Sequence, residues 1–149
     1  MAVTWQFKQM NQFNEEERQQ VYDLRAETFC EGGEKDLGCK PLDEIDEYCY
    51  HSFAWGEDGL LAYCRVIQKE DDVYKIARVL VHKNARGKGM GQKLINYTCD
   101  QIKENFDGKI ATLDALEDVH EMYFKVGFHL TGGTYDFNGI LGLTMNRVL

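Results

Sequence analysis

A run of glycine and basic residues follows an apolar segment in the middle of the chain. Val79, Leu80 and Val81 form the apolar segment, and the run reads Arg86, Gly87, Lys88, Gly89, Met90 and Gly91. Glycines let backbone amides approach an anion closely, and the first turn of a helix offers unpaired N–H groups at the positive end of its dipole. The spacing therefore predicts a strand, a phosphate-binding loop and a helix, with a ligand that carries phosphate.

The spacing of the three glycines excludes two common phosphate loops. A Walker loop needs four residues between its first glycine and Gly-Lys-Ser/Thr, and a dinucleotide loop reads G-x-G-x-x-G. Here Gly87, Gly89 and Gly91 read G-x-G-x-G. The loop resembles the R-G-x-G-x-G motif that binds the pyrophosphate of coenzyme A in the GNAT superfamily of N-acetyltransferases. For the loop alone, an ordinary strand-to-helix turn is the alternative interpretation.

A second motif lies further along the chain. Residues at helical spacing form one apolar face there: Val119, Met122, Tyr123 and Val126. Asp118 and Glu121 are predicted to form a capping box at the start of this helix, and Gly127 is predicted to end it. Tyr123, Gly127 and Phe128 resemble the Y-x-x-x-G-F ending of the same superfamily. The order and separation of the two motifs agree with the family.

The resemblance implies a fold and roles for both motifs. The implied fold is α/β (α+β): a mixed, mostly antiparallel central sheet with splayed strands, flanked by helices. The strand at residues 77–82 would bond the pantetheine arm of acetyl-coenzyme A through its backbone, with N–H groups near Leu80 facing the acetyl oxygen. Tyr123 would assist departure of the thiolate by hydrogen bonding. Its place on the apolar face also suits a plain core residue.

The N-terminal half resembles one branch of the superfamily, the small bacterial ElaA type. The resemblance rests on short matches: Leu24-Arg25, Phe29, Cys39, Pro41, Asp43-Glu44-Ile45-Asp46, His51 and Ala62-Tyr63-Cys64-Arg65-Val66. The chain departs from the superfamily at Leu116, where many members carry an Asn or Gln. One polar contact with the cofactor is lost there unless Asp118 or His120 replaces it.

The resemblance implies an acetyl-coenzyme A-dependent N-acetyltransferase. We expect direct attack by a primary amine of a small molecule in a ternary complex with acetyl-coenzyme A. Two other functions stay open: a regulatory module that binds acyl-coenzyme A without turnover, and a protein lysine or N-terminal acetyltransferase.

The charges are unevenly distributed along the chain. The net charge of −8, from 25 acidic and 17 basic residues, argues against a nucleic-acid partner. Acidic residues gather after Cys30: Glu31, Glu34, Asp36, Asp43, Glu44, Asp46 and Glu47. This distribution suits a cationic amine held away from the basic loop, and a solvated acidic segment explains it equally well. We predict that Glu31, Glu44 and Asp46 hold the amine, with Glu44 and Asp46 as catalytic candidates.

The general base is not identified by spacing. The candidates are a water chain and several residues of the N-terminal half: Glu27, Glu31, Glu44, Asp46 and His51. Arg65 and Arg78 lie inside otherwise apolar segments. Because a buried arginine is costly without a partner, we expect them to pair with Glu44 or Asp46. Such pairing would give these carboxylates a structural role.

Patterning predicts the elements that position the motifs. Apolar and alternating segments predict strands at residues 3–7, 52–55, 60–68, 73–82, 109–114, 128–135 and 140–147. Asn14 is predicted to cap a helix, and Asn138-Gly139 to turn a hairpin because both residues accept positive φ. The long connection from Cys30 to Tyr50 has no predicted element, and connections of that length are usually functional or disordered.

Length and cysteine usage complete the expectations. The 149 residues are expected to form one acetyltransferase domain, residues 1–149. The five cysteines are odd in number and none lies at zinc-ligand spacing, so we expect neither disulfides nor a metal. The sequence shows neither a signal-peptide core nor a long apolar span, which predicts a cytoplasmic protein without a membrane partner. A homodimer stays open.

Overall fold

Residues 2–149 are described by a computed structural model. Its strands are β1 (Thr4–Gln9), β2 (Tyr50–Gly56), β3 (Gly59–Glu70), β4 (Val73–Val81), β5 (Ile110–Leu116), β6 (His129–Phe137) and β7 (Ile140–Val148). They form one sheet in the order β1-β2-β3-β4-β5-β7-β6, and neighbours are antiparallel except for β4 and β5, which are parallel. The predicted mixed, mostly antiparallel sheet is confirmed.

Helices cover both faces of this sheet. They are α1 (Glu15–Phe29), α2 (Met90–Phe106) and α3 (His120–Lys125). Along β3, Cys64 and Val66 belong to the core under α2, whereas Tyr63 belongs to the core under α1. Successive side chains of a strand point to opposite faces, so α1 and α2 pack on opposite sides of the sheet.

The start of α1 follows the predicted capping chemistry. The Asn14 side chain accepts a hydrogen bond from the Glu17 N–H at 2.8 Å, and the Glu17 carboxylate accepts one from the Asn14 N–H at 2.9 Å. Two of the unpaired amides at the helix start are satisfied in this way. The predicted cap at Asn14 is confirmed.

The start of α3 differs from the prediction. The N-cap residue is Val119, and no side chain caps this end. Asp118 already lies in a one-turn 3₁₀ helix, Glu117–Val119, that runs directly into α3. Asp118 therefore precedes the cap position and accepts no hydrogen bond from the start of α3, so the predicted capping box of Asp118 and Glu121 is wrong. The predicted stop is confirmed, because Gly127 has a φ of +88° just after the helix.

The turn between β6 and β7 has the predicted residues in the predicted conformation. Asn138 and Gly139 have φ values of +51° and +92°. The Asp136 carboxylate accepts a hydrogen bond from the Gly139 N–H at 2.7 Å. The hairpin prediction is therefore confirmed, and it places β7 between β5 and β6.

Candidate active site

A cavity opens where β4 and β5 separate. The two strands pair over Val73–Lys75 and Ile110–Thr112, and within residues 2–149 no pairing joins them beyond that stretch. The space between them is about 360 Å³. Its walls include Val79, Leu80 and Val81 on β4, and Leu113 and Ala115 on β5. The predicted splay of the sheet is confirmed, and it leaves one backbone edge of β4 free for a ligand.

The glycine loop forms the outer end of this cavity. Gly89 is the N-cap of α2 and has a φ of +75°, and Gly87 has a φ of +78°. A second depression of about 250 Å³ lies on this loop and shares Val81, Arg86 and Gly91 with the cavity. No side chain of the described residues caps the start of α2, so its first amides face this depression. The loop has the geometry of an anion cradle.

The long connection after α1 crosses the cavity mouth. Glu34 accepts two hydrogen bonds from Arg86, at 2.8 and 3.1 Å. The hydrogen bond from Arg86 lowers the pKa of Glu34. Lys35 contacts Asp118 at 3.3 Å on the other side. Both Glu34 and Lys35 line the cavity, so this connection contributes to the wall. Sequence patterning did not single out either contact, because each joins residues far apart in the chain.

Tyr123 lies in the wall of the cavity and in the core under α2. Its side chain is 5% exposed and contacts Phe128 edge to face, with ring centroids 5.9 Å apart. Burial raises the pKa of Tyr123, so the phenol stays protonated and can donate a hydrogen bond. Among residues 2–149 no hydrogen-bond partner of its hydroxyl is found, which leaves that donor for a ligand. Tyr123 is therefore a core residue by position, and its assistance to the leaving thiolate stays a prediction.

Leu116 also lies in the wall, at the position where the sequence departs from the superfamily pattern. The two residues considered as replacements do not line the cavity. Asp118 pairs with Lys35, and the Nδ1 atom of His120 contacts the Glu117 carbonyl. Neither side chain is therefore placed to supply the polar contact that an Asn or Gln would make.

Arginines and aspartates form a buried ion cluster beside the cavity. Asp46 is 0% exposed and lies 2.7 Å from Arg25 and 3.1 Å from Arg65. Arg65 also lies 2.7 Å from Asp43. Burial would raise the pKa of Asp43, but the hydrogen bond and charge of Arg65 outweigh it and lower the pKa to about 2. The cluster joins α1, β3 and the long connection.

The three acidic residues predicted to hold the amine lie in different surroundings. Asp46 is held by two arginines, whereas Glu44 is exposed, as is Glu31, and none of the three lines the cavity. The cavity wall therefore gives no support to the prediction that they hold an acceptor amine, which stays a prediction. The expected pairing of Arg65 with Asp46 is confirmed. Arg78 instead has Asp43 as its nearest carboxylate, at 3.7 Å.

His51 packs against this cluster. Its Nδ1 atom lies 2.6 Å from the Tyr63 hydroxyl, and its Nε2 atom lies 3.0 Å from the Asp46 carbonyl oxygen. Burial lowers the pKa of His51 to about 4. Asp46, Cys49 and His51 could bind a metal by residue type. Arg25 and Arg65 oppose a cation there, and burial raises the pKa of the Cys49 thiol to about 12.

We expect stability to fall as the pH drops from about 6.5 toward 4. Unfolded His51 binds a proton near 6.5 and folded His51 near 4, so the unfolded state binds more protons between these values. The full effect is about 3 kcal/mol. Below about pH 4 the Asp43 contribution is lost as well, as the pH falls toward the folded pKa of about 2. Urea titrations between pH 8 and pH 3 measure this change.

His51→Gln tests the source of that slope. The variant is expected to lose the slope between pH 6.5 and 4, whatever its absolute stability. His129→Gln, at an exposed histidine, should keep the slope. A free energy of unfolding that stays flat from pH 7 to 4.5 in the wild type would contradict the buried, neutral state of His51.

A family model now decides the membership that the two motifs suggest. The model for the acetyltransferase (GNAT) domain matches residues 11–149. The chain belongs to the GNAT acetyltransferase family. The glycine loop at the start of α2 and the Tyr123 segment both fall inside the matched range.

Relatives from distant organisms support the same branch. A UPF0039 protein of Schizosaccharomyces pombe is 30% identical over 145 residues, which cover 96% of this chain and 95% of the relative. Protein ElaA of Escherichia coli is 30% identical over 99 residues, or 65% of each chain. The ElaA crystal structure has a TM-score of 0.82 at 24% identity and covers 98% of this chain and 99% of its own. The resemblance to ElaA is confirmed.

A more distant structural neighbour contains coenzyme A. The crystal structure of an aminoglycoside 6′-N-acetyltransferase complexed with coenzyme A has a TM-score of 0.76 at 16% identity, covering 99% of this chain and 97% of its own. This likeness shows the shared fold. Within the part of this GNAT chain that the structure describes, no helix has the length and apolarity to cross a membrane.

Proposed function

We propose that this GNAT protein transfers an acetyl group from acetyl-coenzyme A to a primary amine of a small molecule. The observation that carries the proposal is the cavity between β4 and β5, with an anion cradle at one end and Tyr123 in its wall. A neighbour of the same fold binds coenzyme A. The transfer is proposed to occur in one step, within a ternary complex.

The residues present fit the cofactor. The loop residues Arg86 to Gly91 offer backbone amides and positive charge to the pyrophosphate. The unpaired edge of β4 at Val79–Val81 offers backbone groups to the amide-containing pantetheine arm, in the manner of an added strand. A Cβ atom added at Gly87 or Gly89 would have no atom within 4 Å. This open side is the space that the phosphates would occupy.

The reaction balances without a metal or a covalent enzyme intermediate. The nitrogen of the neutral amine attacks the thioester carbon, a C–N bond forms, and the C–S bond breaks as the thiolate leaves. Backbone N–H groups of β4 near Leu80 are proposed to stabilise the oxyanion, and the Tyr123 hydroxyl to donate a hydrogen bond to the sulfur. The proton that the amine nitrogen loses neutralises the thiolate.

The cavity does not provide a strong base for an ammonium group. The carboxylates of its wall, Glu34 and Asp114, already pair with Arg86 and Lys75, at 2.8 and 2.9 Å. We therefore propose that the acceptor reacts as the free amine, with its proton lost to water. Because only the free amine reacts, kcat/KM is expected to rise with pH toward the pKa of the acceptor amine.

A thiol-release assay tests the proposed function. The protein is incubated with acetyl-coenzyme A and a panel of primary amines, while free thiol and the mass of the acetylated product are followed. Amine-dependent release with a matching product supports acetyl transfer. Tight binding of acetyl-coenzyme A without turnover on any amine would support the regulatory module instead.

Gly89→Glu is expected to weaken acetyl-coenzyme A binding at least about tenfold. A side chain at this position has open space around it, so the new carboxylate would project toward the cradle and repel the phosphates. Isothermal calorimetry measures the effect. Unchanged affinity would remove the loop from the cofactor site.

Gly132→Glu is the matched control for this variant. Gly132 also has a positive φ, +90°, and a Cβ atom added there would have no atom within 4 Å. It lies on the exposed strand β6. Both variants place a glutamate in strained backbone. Equal loss of affinity in both would show that strain, rather than the local charge, is responsible.

A further inference from the structure

Arg78 lies in the cavity wall in an unusual backbone conformation. Tyr63 of β3 pairs with Leu80 of β4, and Arg65 pairs with Ala77. One residue separates the two positions on β3 and two residues separate them on β4, so β4 has a bulge of one extra residue. Within this bulge Arg78 has a φ of +55°, which is rare for residues other than glycine or asparagine. The bulge therefore places Arg78, together with Lys75 of the same strand, among the charged residues that line the cavity.

Arg78 has the weakest pairing of the cations in that wall. Lys35, Lys75 and Arg86 have carboxylate partners at 3.3, 2.9 and 2.8 Å. The terminal nitrogen of Arg78 lies 3.7 Å from Asp43, beyond hydrogen-bond distance. Its Nε is buried and has no hydrogen-bond partner among residues 2–149, as is also true of the Nε atoms of Arg25 and Arg65, but only Arg78 of these three lines the cavity. An arginine so placed has donors to spare for a ligand.

The charge of the buried cluster leaves one cation uncompensated. Arg25, Arg65 and Arg78 face two carboxylates, those of Asp43 and Asp46. Asp43 already pairs with Arg65 at 2.7 Å, so it compensates little of the positive charge of Arg78. Because His51 is neutral above pH 4, the group carries about one net positive charge beside the cavity. One negative charge from a ligand would balance it.

We propose that Arg78 binds a carboxylate of the acceptor, so that the acceptor is a small amine that also carries an acid group. This inference rests on the proposed acetyl transfer and names its substrate class. A carboxylate supplies the single negative charge and matches the planar guanidinium fork. Arg78 precedes Leu80 by two residues, roughly 6–7 Å along a strand, so amine and carboxylate must lie close together in one small molecule.

The backbone of Arg78 gives a test that separates binding from folding. Asn and Gly adopt positive φ more readily than Arg, and both remove the excess charge. Arg78→Asn is therefore expected to unfold at a temperature no lower than the wild type. A residue that served packing alone would not leave stability intact when it is truncated.

The acceptor preference is measured with paired probes. Glycine, β-alanine, γ-aminobutyrate and 5-aminovalerate are compared with their amides, and with the corresponding aminoalkylphosphonates. The wild type is expected to favour the best carboxylate over its amide by about 10- to 100-fold in kcat/KM. In Arg78→Asn this ratio should approach one through a raised KM for the carboxylate, while KM for acetyl-coenzyme A stays constant. Arg78→Lys should keep part of the preference.

Arg18→Gln is the matched control. Arg18 is an exposed arginine on α1, 3.8 Å from Glu47, and its loss should leave the preference unchanged. A wild type without preference for carboxylates, or an Arg78→Asn variant that loses acids and amides alike, would overturn the proposal. A preference for phosphonates over carboxylates would overturn the assignment to an acid of one charge.

A binding measurement keeps this inference separate from the proposed function. Calorimetry in the presence of coenzyme A measures the affinity for N-acetylated ω-amino acids and for the carboxamides of the same compounds. Binding of the acids that Arg78→Asn abolishes, without turnover on any amine, would sustain the carboxylate site and refute acetyl transfer. Turnover on amines, together with equal binding of acids and amides, would support acetyl transfer and refute the carboxylate site.

Discussion

Replacement of Asp46 by asparagine is expected to lower the free energy of unfolding by about 3–5 kcal/mol. Asp46 is fully buried and contacts Arg25 at 2.7 Å and Arg65 at 3.1 Å. Removal of its charge leaves two buried guanidinium groups with one partly exposed carboxylate, that of Asp43. Breaking a buried pair costs more than the pair itself contributes, because the remaining charge stays out of water. Urea denaturation measures the loss as a lower midpoint at unchanged slope.

Glu44→Gln is the control for this experiment. Glu44 is two residues away and exposed, so its change should stay within about 0.5 kcal/mol. The pair of variants separates the two interpretations of the acidic segment: solvated residues on one hand, structural partners of arginine on the other. A destabilisation below about 1 kcal/mol for Asp46→Asn would show that the cluster is not held by this carboxylate.

Local patterns predicted most of the framework. The cap at Asn14, the stop at Gly127 and the turn at Asn138-Gly139 each depend on residues within a few positions of one another, and all three are confirmed. The glycine loop and Tyr123 were singled out by their resemblance to the motifs of the superfamily, and spacing along the chain fixes their positions on one helix start and one helix face. In the folded sheet both segments lie at the same cavity.

The environment of the acceptor could not be predicted in this way. Arg25 and Asp46 are 21 residues apart, and no local pattern shows that a helix and a long connection will bring them together. The acidic run after Cys30 looked like one surface, yet its members divide between the buried cluster and solvent. Arg78 was expected to meet Glu44 or Asp46. The bulge in β4 turns it toward the cavity instead, and bulges have no reliable sequence signature at a non-glycine residue.

These corrections change the chemistry expected of the acceptor. An acidic groove would select amines by their positive charge. The cavity instead has paired carboxylates and one poorly paired arginine, so selection by a negative group is favoured. We therefore expect the acceptor to react as a free amine, since the wall offers it no unpaired carboxylate among residues 2–149.

Tyr123→Phe is expected to lower kcat about 100-fold and to change the affinity for acetyl-coenzyme A little. The hydroxyl is proposed to act on charge that develops as the thiolate leaves, so its loss affects the transition state more than the bound substrate. Phe retains the ring, its contact with Phe128 and its place in the core. Because burial raises the pKa of Tyr123, the phenol should not ionise below pH 10. The wild-type rate should therefore show no falling limb from this group as pH rises to 10.

Tyr74→Phe provides the control for the loss of a tyrosine hydroxyl from the same core. Tyr74 is 6% exposed, close to the 5% of Tyr123, and lies in the same core but not in the cavity wall. Steady-state kinetics on the best amine of the panel should give wild-type kcat for Tyr74→Phe and the reduced kcat for Tyr123→Phe. Equal kcat in all three proteins would make Tyr123 a packing residue. The stabilisation of the leaving thiolate would then have to come from the backbone of β4, from water or from Tyr135, the other tyrosine in the cavity wall.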